Sequence, residues 1–123
     1  MAYVAEIIKS NRELSKKERV MYKDASDCKR LDEETSANGR IRIKPELWLE
    51  LSVHNDKAKD NKDYNQYVIV DKNGDAYLTG SQNFYNNFLN IASEMDGEEF
   101  EIEVYRRPSK NYNGKEFLTC KLV

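Results

Sequence analysis

Aromatic and basic residues alternate with apolar ones in two segments near the C-terminus, a pattern that suits binding to a flat, anionic polymer. Tyr105 and Arg107 belong to the first segment, and Phe117 and Lys121 belong to the second. If both segments are strands, alternation turns these four side chains away from the core. An exposed phenylalanine lowers solubility without a local gain, so we expect Phe117 to meet a partner. Rings stack on bases and cations bind phosphates, which makes single-stranded nucleic acid the first ligand to consider.

Three further groups of residues fit the same chemistry. A short basic stripe precedes Pro45, a tryptophan points outward from the apolar strand pattern that follows, and residues 109–115 form a basic, glycine-containing turn. The alternatives are that the N-terminal segment covers Trp48 and Phe117, and that the basic groups are ordinary solvated surface. The candidate nucleic-acid contacts are Trp48, Tyr105, Arg107, Lys110, Tyr112, Lys115, Phe117, Lys121, Arg40 and Arg42.

A hairpin is the strongest local signal among the elements that must position these residues. Asn73-Gly74 lies between two runs rich in β-branched and aromatic residues, which predicts a two-residue type I′ turn with positive φ at both positions. Such a turn pairs Ile69 with Leu78 and Val70 with Tyr77. Both faces of the hairpin then carry apolar side chains, so the pattern leaves open which faces its tyrosines occupy.

A single helix is predicted directly after the hairpin. Ser81 can cap it, apolar residues recur at helical spacing as far as Met95, and Asp96-Gly97 can end it in the left-handed conformation. Strands are expected before and after it, over residues 47–53, 66–71, 76–80, 100–105 and 117–122. A helix between the third and fourth of five strands is the order of an OB-fold-like five-stranded barrel, so the expected class is mainly β. A generic α+β sheet with one helix on a face is the alternative.

The N-terminal third has weaker patterns. Ser15 and Glu18 have the spacing of a capping box, which predicts a short helix, although an edge strand over residues 19–22 fits equally well. From Asp24 to Arg40 apolar residues are scarce, so we expect a loop, and residues 55–63 read as a second, polar loop. The predicted organisation is one domain, with an N-terminal extension and loop over 1–39 and the barrel over 40–123.

Composition excludes several classes of function. The 123 residues suffice for one domain, and the net charge of −2 means that any polyanion site must be a local patch. No apolar run could span a bilayer and no secretory signal is visible, so we expect an intracellular protein without membrane contact. Cys28 and Cys120 lack zinc-site spacing and His54 is the only histidine, so we expect reduced structural thiols, no metal and no cofactor. No nucleophile, base or phosphate loop is arranged as in an enzyme, and His54 is expected to lie at the surface or anchor a loop.

Several motifs in the C-terminal two thirds resemble small single-stranded DNA-binding proteins encoded by tailed phages and prophages of Gram-positive bacteria. The motifs that carry the resemblance are Ser52-Val-His-Asn55, Tyr67-Val-Ile-Val-Asp71, Asn73-Gly74, Tyr77-Leu-Thr-Gly-Ser81, Ile102-Glu-Val-Tyr105, Ser109-Lys-Asn-Tyr-Asn-Gly-Lys115 and Phe117-Leu-Thr-Cys120. The resemblance implies an OB-like protein that coats single-stranded DNA without sequence preference during phage replication or recombination. It also implies self-association along the strand and a location in the cytoplasm of the infected bacterium.

An acidic stretch after the helix opposes this interpretation. Its six members are Glu94, Asp96, Glu98, Glu99, Glu101 and Glu103. Carboxylates repel phosphate, so the stretch must lie away from any DNA groove. An acidic surface can also imitate DNA toward an enzyme. The alternative hypothesis is therefore a small phage inhibitor that binds a host or defence enzyme through this surface.

Overall fold

The computed structural model describes residues 3–24, 27–56, 63–108 and 116–123. Its strands are β1 (Tyr3–Ser10), β2 (Lys29–Arg30), β3 (Ile41–Ile43), β4 (Pro45–Asn55), β5 (Asp63–Asp71), β6 (Ala76–Thr79), β7 (Ile102–Pro108) and β8 (Glu116–Leu122). Its helices are α1 (Lys16–Lys23), α2 (Leu31–Asn38) and α3 (Gln82–Met95). In the described ranges, no helix is long and apolar enough to cross a membrane.

The strands form two sheets. The larger one has the order β1-β4-β5-β6-β2 and the smaller one has the order β3-β7-β8. All pairs are antiparallel except β2 with β6. Only Lys44 separates β3 from β4, so one continuous run of chain belongs to both sheets. The prediction of a mainly β fold, with a helix between the hairpin and the last two strands, is confirmed. The described strands form two sheets and do not close into one barrel.

The first core cluster lies between the two sheets and α3. Phe84 and Phe88 of α3 are almost completely buried against Ile69 of the larger sheet and Val104 of the smaller one. The apolar spacing of α3 places these rings one turn apart on the same face. The Ser81 hydroxyl accepts a hydrogen bond from the Phe84 backbone N–H at the start of the helix, as predicted.

The second core cluster lies on the opposite face of the larger sheet. It contains the row Leu47, Leu49, Leu51 and Val53, which period-two alternation predicts to be buried together. The Tyr22 ring of α1 packs into this cluster. The side chains that alternate with this row are partly or fully exposed, so the prediction of a half-buried strand over these residues is confirmed.

The hairpin forms, but its turn is one residue longer than predicted. The Gly74 N–H donates to the Asp71 carbonyl, and the Asp71 N–H donates to the Asp75 carbonyl. Gly74 has φ 97° whereas Asn73 does not adopt positive φ, which is a type I turn followed by a left-handed glycine rather than a type I′ turn. The extra residue shifts the predicted pairs by one position.

This register decides which faces the hairpin tyrosines occupy. Ile69 pairs with Tyr77 and Tyr67 pairs with Thr79, so both tyrosines lie in the first core cluster. The Tyr67 ring stacks on Tyr85 of α3 with 4.3 Å between ring centroids. Neither tyrosine is available to a ligand.

The N-terminal region is more regular than the sequence indicates. Residues 3–10 form an edge strand that pairs with β4, and the predicted capping box is confirmed: the Glu18 N–H donates to the Ser15 hydroxyl. The expectation of a loop from Asp24 to Arg40 is wrong, because α2 occupies residues 31–38. This helix buries Leu31 and Thr35, and Arg106 of β7 donates hydrogen bonds to Thr35 Oγ1 and to the Asp32 carbonyl.

The end of α3 agrees with the prediction, whereas the end of β8 differs from it. Asp96 has φ 45° and Gly97 has φ 87°, so the helix ends in the left-handed conformation as expected. On β8, Leu118 and Cys120 are buried as predicted, but Leu122 is 48% exposed because it lies at the end of an edge strand.

Candidate nucleic-acid interface

The outer face of the β3-β7-β8 sheet collects most of the predicted contact residues. We call it the basic–aromatic face; it consists of Arg40, Arg42, Tyr105, Arg107, Phe117 and Lys121, together with Glu103. The opposite face of the same strands carries the core residues Ile43, Val104 and Cys120. Alternation along three neighbouring strands thus brings together six of the ten residues that the sequence nominates.

Strand register arranges this face in rows. Arg42, Glu103 and Lys121 are direct neighbours across the three strands. Tyr105 is opposite Thr119 in the next row, and Arg107 is opposite Phe117 in the one after. Two residues along a strand advance about 7 Å, so the rows repeat at that spacing.

Glu103 lies at the centre of the first row and is surrounded by cations. Arg40 Nη1 donates to Glu103 Oε1 at 2.5 Å, Arg42 Nε lies 3.6 Å from Oε2, and Lys121 Nζ lies 3.7 Å from Oε1. The Glu103 side chain is 12% exposed, whereas the three cationic side chains are 54–59% exposed. The hydrogen bond from Arg40, followed by the fields of Lys121 and the two arginines, lowers the pKa of Glu103.

The same cations also face the Tyr105 ring. The guanidinium carbon of Arg40 lies 4.5 Å from the ring centroid, and Lys121 Nζ lies 5.7 Å from it. Both distances are within the range of cation–π attraction. Arg40 and Lys121 therefore bridge the carboxylate of Glu103 and the ring of Tyr105, which orients two flexible side chains on the sheet surface.

Phe117 is the most exposed aromatic side chain described in the small sheet, at 45%. It lies opposite Arg107, where β7 and β8 lead into residues 109–115. Three predicted contacts, Lys110, Tyr112 and Lys115, fall outside the described residues. The exposed phenylalanine is thus at the end of the face from which that basic segment departs.

Trp48 does not belong to this face. It lies in the larger sheet, half-buried against the first core cluster. Its ring meets Phe88 edge to face, with 5.2 Å between centroids and 85° between planes, and meets Phe100 at 6.0 Å. The prediction of an exposed tryptophan is therefore wrong, because α3 and the segment after it cover a position that local alternation turns outward.

Two members of the acidic stretch, Glu99 and Glu103, are paired with cations. Glu94 and Asp96 lie at the end of α3, and Glu98 lines a cavity of about 420 Å³ beside Trp48. Glu99 forms an ion pair with Lys72, which lowers the pKa of Glu99. Glu103, which the sequence counts as repulsive, lies inside the cationic row. The sequence analysis did not predict this role, although Glu103 alternates with Tyr105 along the strand and therefore shares its face.

His54 anchors the two ends of the segment between β4 and β5, as predicted. Its Nδ1 lies 2.6 Å from Asp63 Oδ1 and its Nε2 lies 2.5 Å from Asp56 Oδ1. A neutral imidazole carries one N–H, so two carboxylate contacts favour the imidazolium. The hydrogen bond with Asp63, then that with Asp56, raises the pKa of His54.

The two cysteines are free and lie in different core clusters. Burial raises the pKa of Cys28 to about 11 and that of Cys120 to about 12, so both remain protonated at neutral pH. Within the described ranges, no group of three or more His, Cys, Asp or Glu side chains is placed to hold a metal ion.

No protein-family model, curated protein or solved structure matches this chain. The function must therefore be argued from the geometry of the basic–aromatic face.

Proposed function

We propose that the protein binds single-stranded DNA without sequence preference on the basic–aromatic face. The observation that carries this proposal is the composition of one sheet surface, where four cations and two aromatic rings lie on the same face as Glu103. Base stacking on rings and phosphate contact by cations require no base identity. The proposed biological setting is phage DNA replication or recombination, with self-association along the strand.

The strand connectivity supports an open OB-fold arrangement. Residues 41–55 act as one bent first strand, whose start pairs with β7 and whose remainder pairs with β5. The order β4, β5, β6, α3, β7, β8 then follows that of an OB fold. In the described chain, β6 pairs with β2 where a closed barrel would have it meet β8.

The likeness to an OB fold also supports a position for the DNA. Many OB folds bind oligonucleotides across strands two and three and the loops at their ends. Here the face of β5 and β6 that points away from the small sheet is covered by Tyr22 and its neighbours. The accessible surface is the outer face of β3, β7 and β8, next to residues 109–115, and we place the DNA there.

An inhibitor acting through an acidic surface is less well supported. Glu99 and Glu103 are each paired with cations, and the other members of the stretch are distributed over a helix end, a cavity and a strand start. Pairing with cations thus reduces the anionic character of the stretch at two of its six positions.

The test is titration of fluorescein-labelled oligo-dT with the protein, followed by anisotropy at several salt concentrations. We expect binding that weakens with salt, with a slope of about −0.7 per phosphate neutralised. Three or four phosphate contacts would give a slope of about −2 to −3. Absence of binding at the lowest salt concentration would overturn the proposal.

A further inference from the structure

The position of Glu103 suggests how the affinity of this face is set; the inference rests on the proposed DNA-binding function. Three cations from two segments, the start of β3 and the end of β8, converge on one carboxylate whose side chain is 12% exposed. A carboxylate and a phosphodiester accept the same charge-assisted hydrogen bonds from Arg and Lys. The arrangement around Glu103 is therefore one that could also hold a phosphate.

We propose that Glu103 is a built-in competitor of phosphate, which holds Arg40 and Lys121 in the unbound protein and restrains the affinity for single-stranded DNA. A phosphate that binds these cations must first share or replace their bond with Glu103. The ligand concerned is one phosphodiester of the strand, next to the base that stacks on Tyr105.

Exposure supports competition over a purely structural role for Glu103. More than half of each cationic side chain remains accessible, so an anion can reach the cations from solvent and compete with Glu103 for their donors. Arg42 lies beyond hydrogen-bond distance of Glu103, with 3.6 Å between its Nε and Oε2. The three cations are thus held near one another, and Glu103 does not occupy all of their hydrogen-bond donors.

The cations also couple the phosphate position to the ring. Arg40 contacts both Glu103 and Tyr105, at 2.5 Å and 4.5 Å respectively. When a phosphate draws Arg40 away from Glu103, the guanidinium moves relative to the ring on which a base would stack. Phosphate binding and base stacking at this position should therefore be energetically coupled.

The experiment compares oligo-dT binding by the wild-type protein, Glu103→Gln and Glu6→Gln over a range of salt concentrations. Glu103→Gln should bind about three- to tenfold more tightly at low salt, the size expected when weak surface ion pairs no longer compete. Its salt dependence should steepen by about 0.7 for each additional phosphate neutralised. Glu6→Gln removes the same charge from β1 of the other sheet and should change affinity less than about twofold, because salt screens distant charges.

A double-mutant cycle identifies the cation. If Glu103 competes for Arg40, Glu103→Gln should gain less affinity in an Arg40→Gln background than in the wild type. Equal gains would show a general charge effect and overturn the competition. Unchanged or weaker binding by Glu103→Gln would also overturn it. Removal of a residue that only positions the cations would lower the affinity of the protein for oligo-dT. Glu103→Asp, which keeps the charge on a shorter side chain, serves if the Gln variant fails the check of folding by thermal unfolding.

A second readout separates this inference from the proposed function. Inorganic phosphate is titrated while the Nε–Hε NMR signals of Arg40 and Arg42 are followed. If neither protein binds oligo-dT, the DNA-binding proposal falls. The competition still stands if these signals shift at lower phosphate concentration in Glu103→Gln than in the wild type, and it falls if they do not.

Discussion

The guanidinium of Arg40 lies over the ring of Tyr105, with 4.5 Å between its central carbon and the ring centroid. Arg40 precedes β3 and Tyr105 lies within β7, so the contact depends on the pairing of Ile41 with Val104 between them. Under the proposed function, the ring supplies a stacking surface for a base and Arg40 supplies a contact for the neighbouring phosphate.

The first prediction concerns the two rings of the basic–aromatic face. Tyr105→Ala and Phe117→Ala should each weaken oligo-dT binding by about 1–3 kcal/mol, because each removes a stacking surface for one base. Tyr105→Phe keeps the ring and should bind like the wild type. Anisotropy titrations measure all three, and unchanged affinity in both alanine variants would remove this face as the stacking platform.

The second prediction separates Trp48 from the binding surface. Trp48→Leu should lower the free energy of unfolding by about 0.5–1.5 kcal/mol, the size of an aromatic pair contact, because its edge-to-face contacts with Phe88 and Phe100 are lost. Affinity for oligo-dT should stay within about twofold of the wild type, since Trp48 lies in the larger sheet and its ring packs on Phe88 and Phe100. Urea unfolding and anisotropy give the two values. A large loss of affinity with unchanged stability would return Trp48 to the binding site.

These two predictions mark the limit of what alternation reveals. The six residues of the basic–aromatic face follow from a period of two along strands, which is a local property of the sequence. The cover over Trp48 depends on where α3 packs, and no residue near position 48 specifies that. The sequence allows cover of Trp48 by the N-terminal segment, whereas the ring contacts that half-bury it come from Phe88 and Phe100.

The hairpin and α2 show two other ways in which local patterns were insufficient. Asn73-Gly74 is compatible with a two-residue turn and with a three-residue turn that has glycine in the left-handed position, and the hydrogen bonds of Asp71 select the second. Helix α2 has little apolar periodicity, since Leu31 and Thr35 are its buried residues. Its position depends on the burial of Leu31 in the first core cluster and on hydrogen bonds from Arg106, about seventy residues later in the sequence.

The third prediction concerns pH and His54. Its contacts with Asp63 and Asp56 raise its pKa in the folded protein, so the stabilisation is fully present below the ordinary histidine pKa and is lost as pH rises through the raised folded-state pKa. The wild type should therefore lose more thermal stability than His54→Gln between pH 5.5 and pH 8.5, conditions chosen to bracket about pH 6.5. If the melting temperatures of the two proteins differ by the same amount at every pH, the contacts of His54 with Asp63 and Asp56 contribute no pH dependence.

The fourth prediction concerns the bond between α3 and the edge of the small sheet. Asn87 Nδ2 donates to the Cys120 carbonyl at 2.8 Å and to Thr119 Oγ1 at 3.2 Å, so this side chain binds the outer edge of β8. Asn87→Ala should lower the free energy of unfolding by about 1–3 kcal/mol, because a partly buried carbonyl loses its donor. Asn87→Asp should cost more, since a carboxylate oxygen would face the Cys120 carbonyl where the amide donor was. Urea unfolding of the three proteins measures both differences. If the aspartate variant is as stable as the wild type, the amide does not hold the strand edge. Apolar contacts alone would then hold α3 against β8.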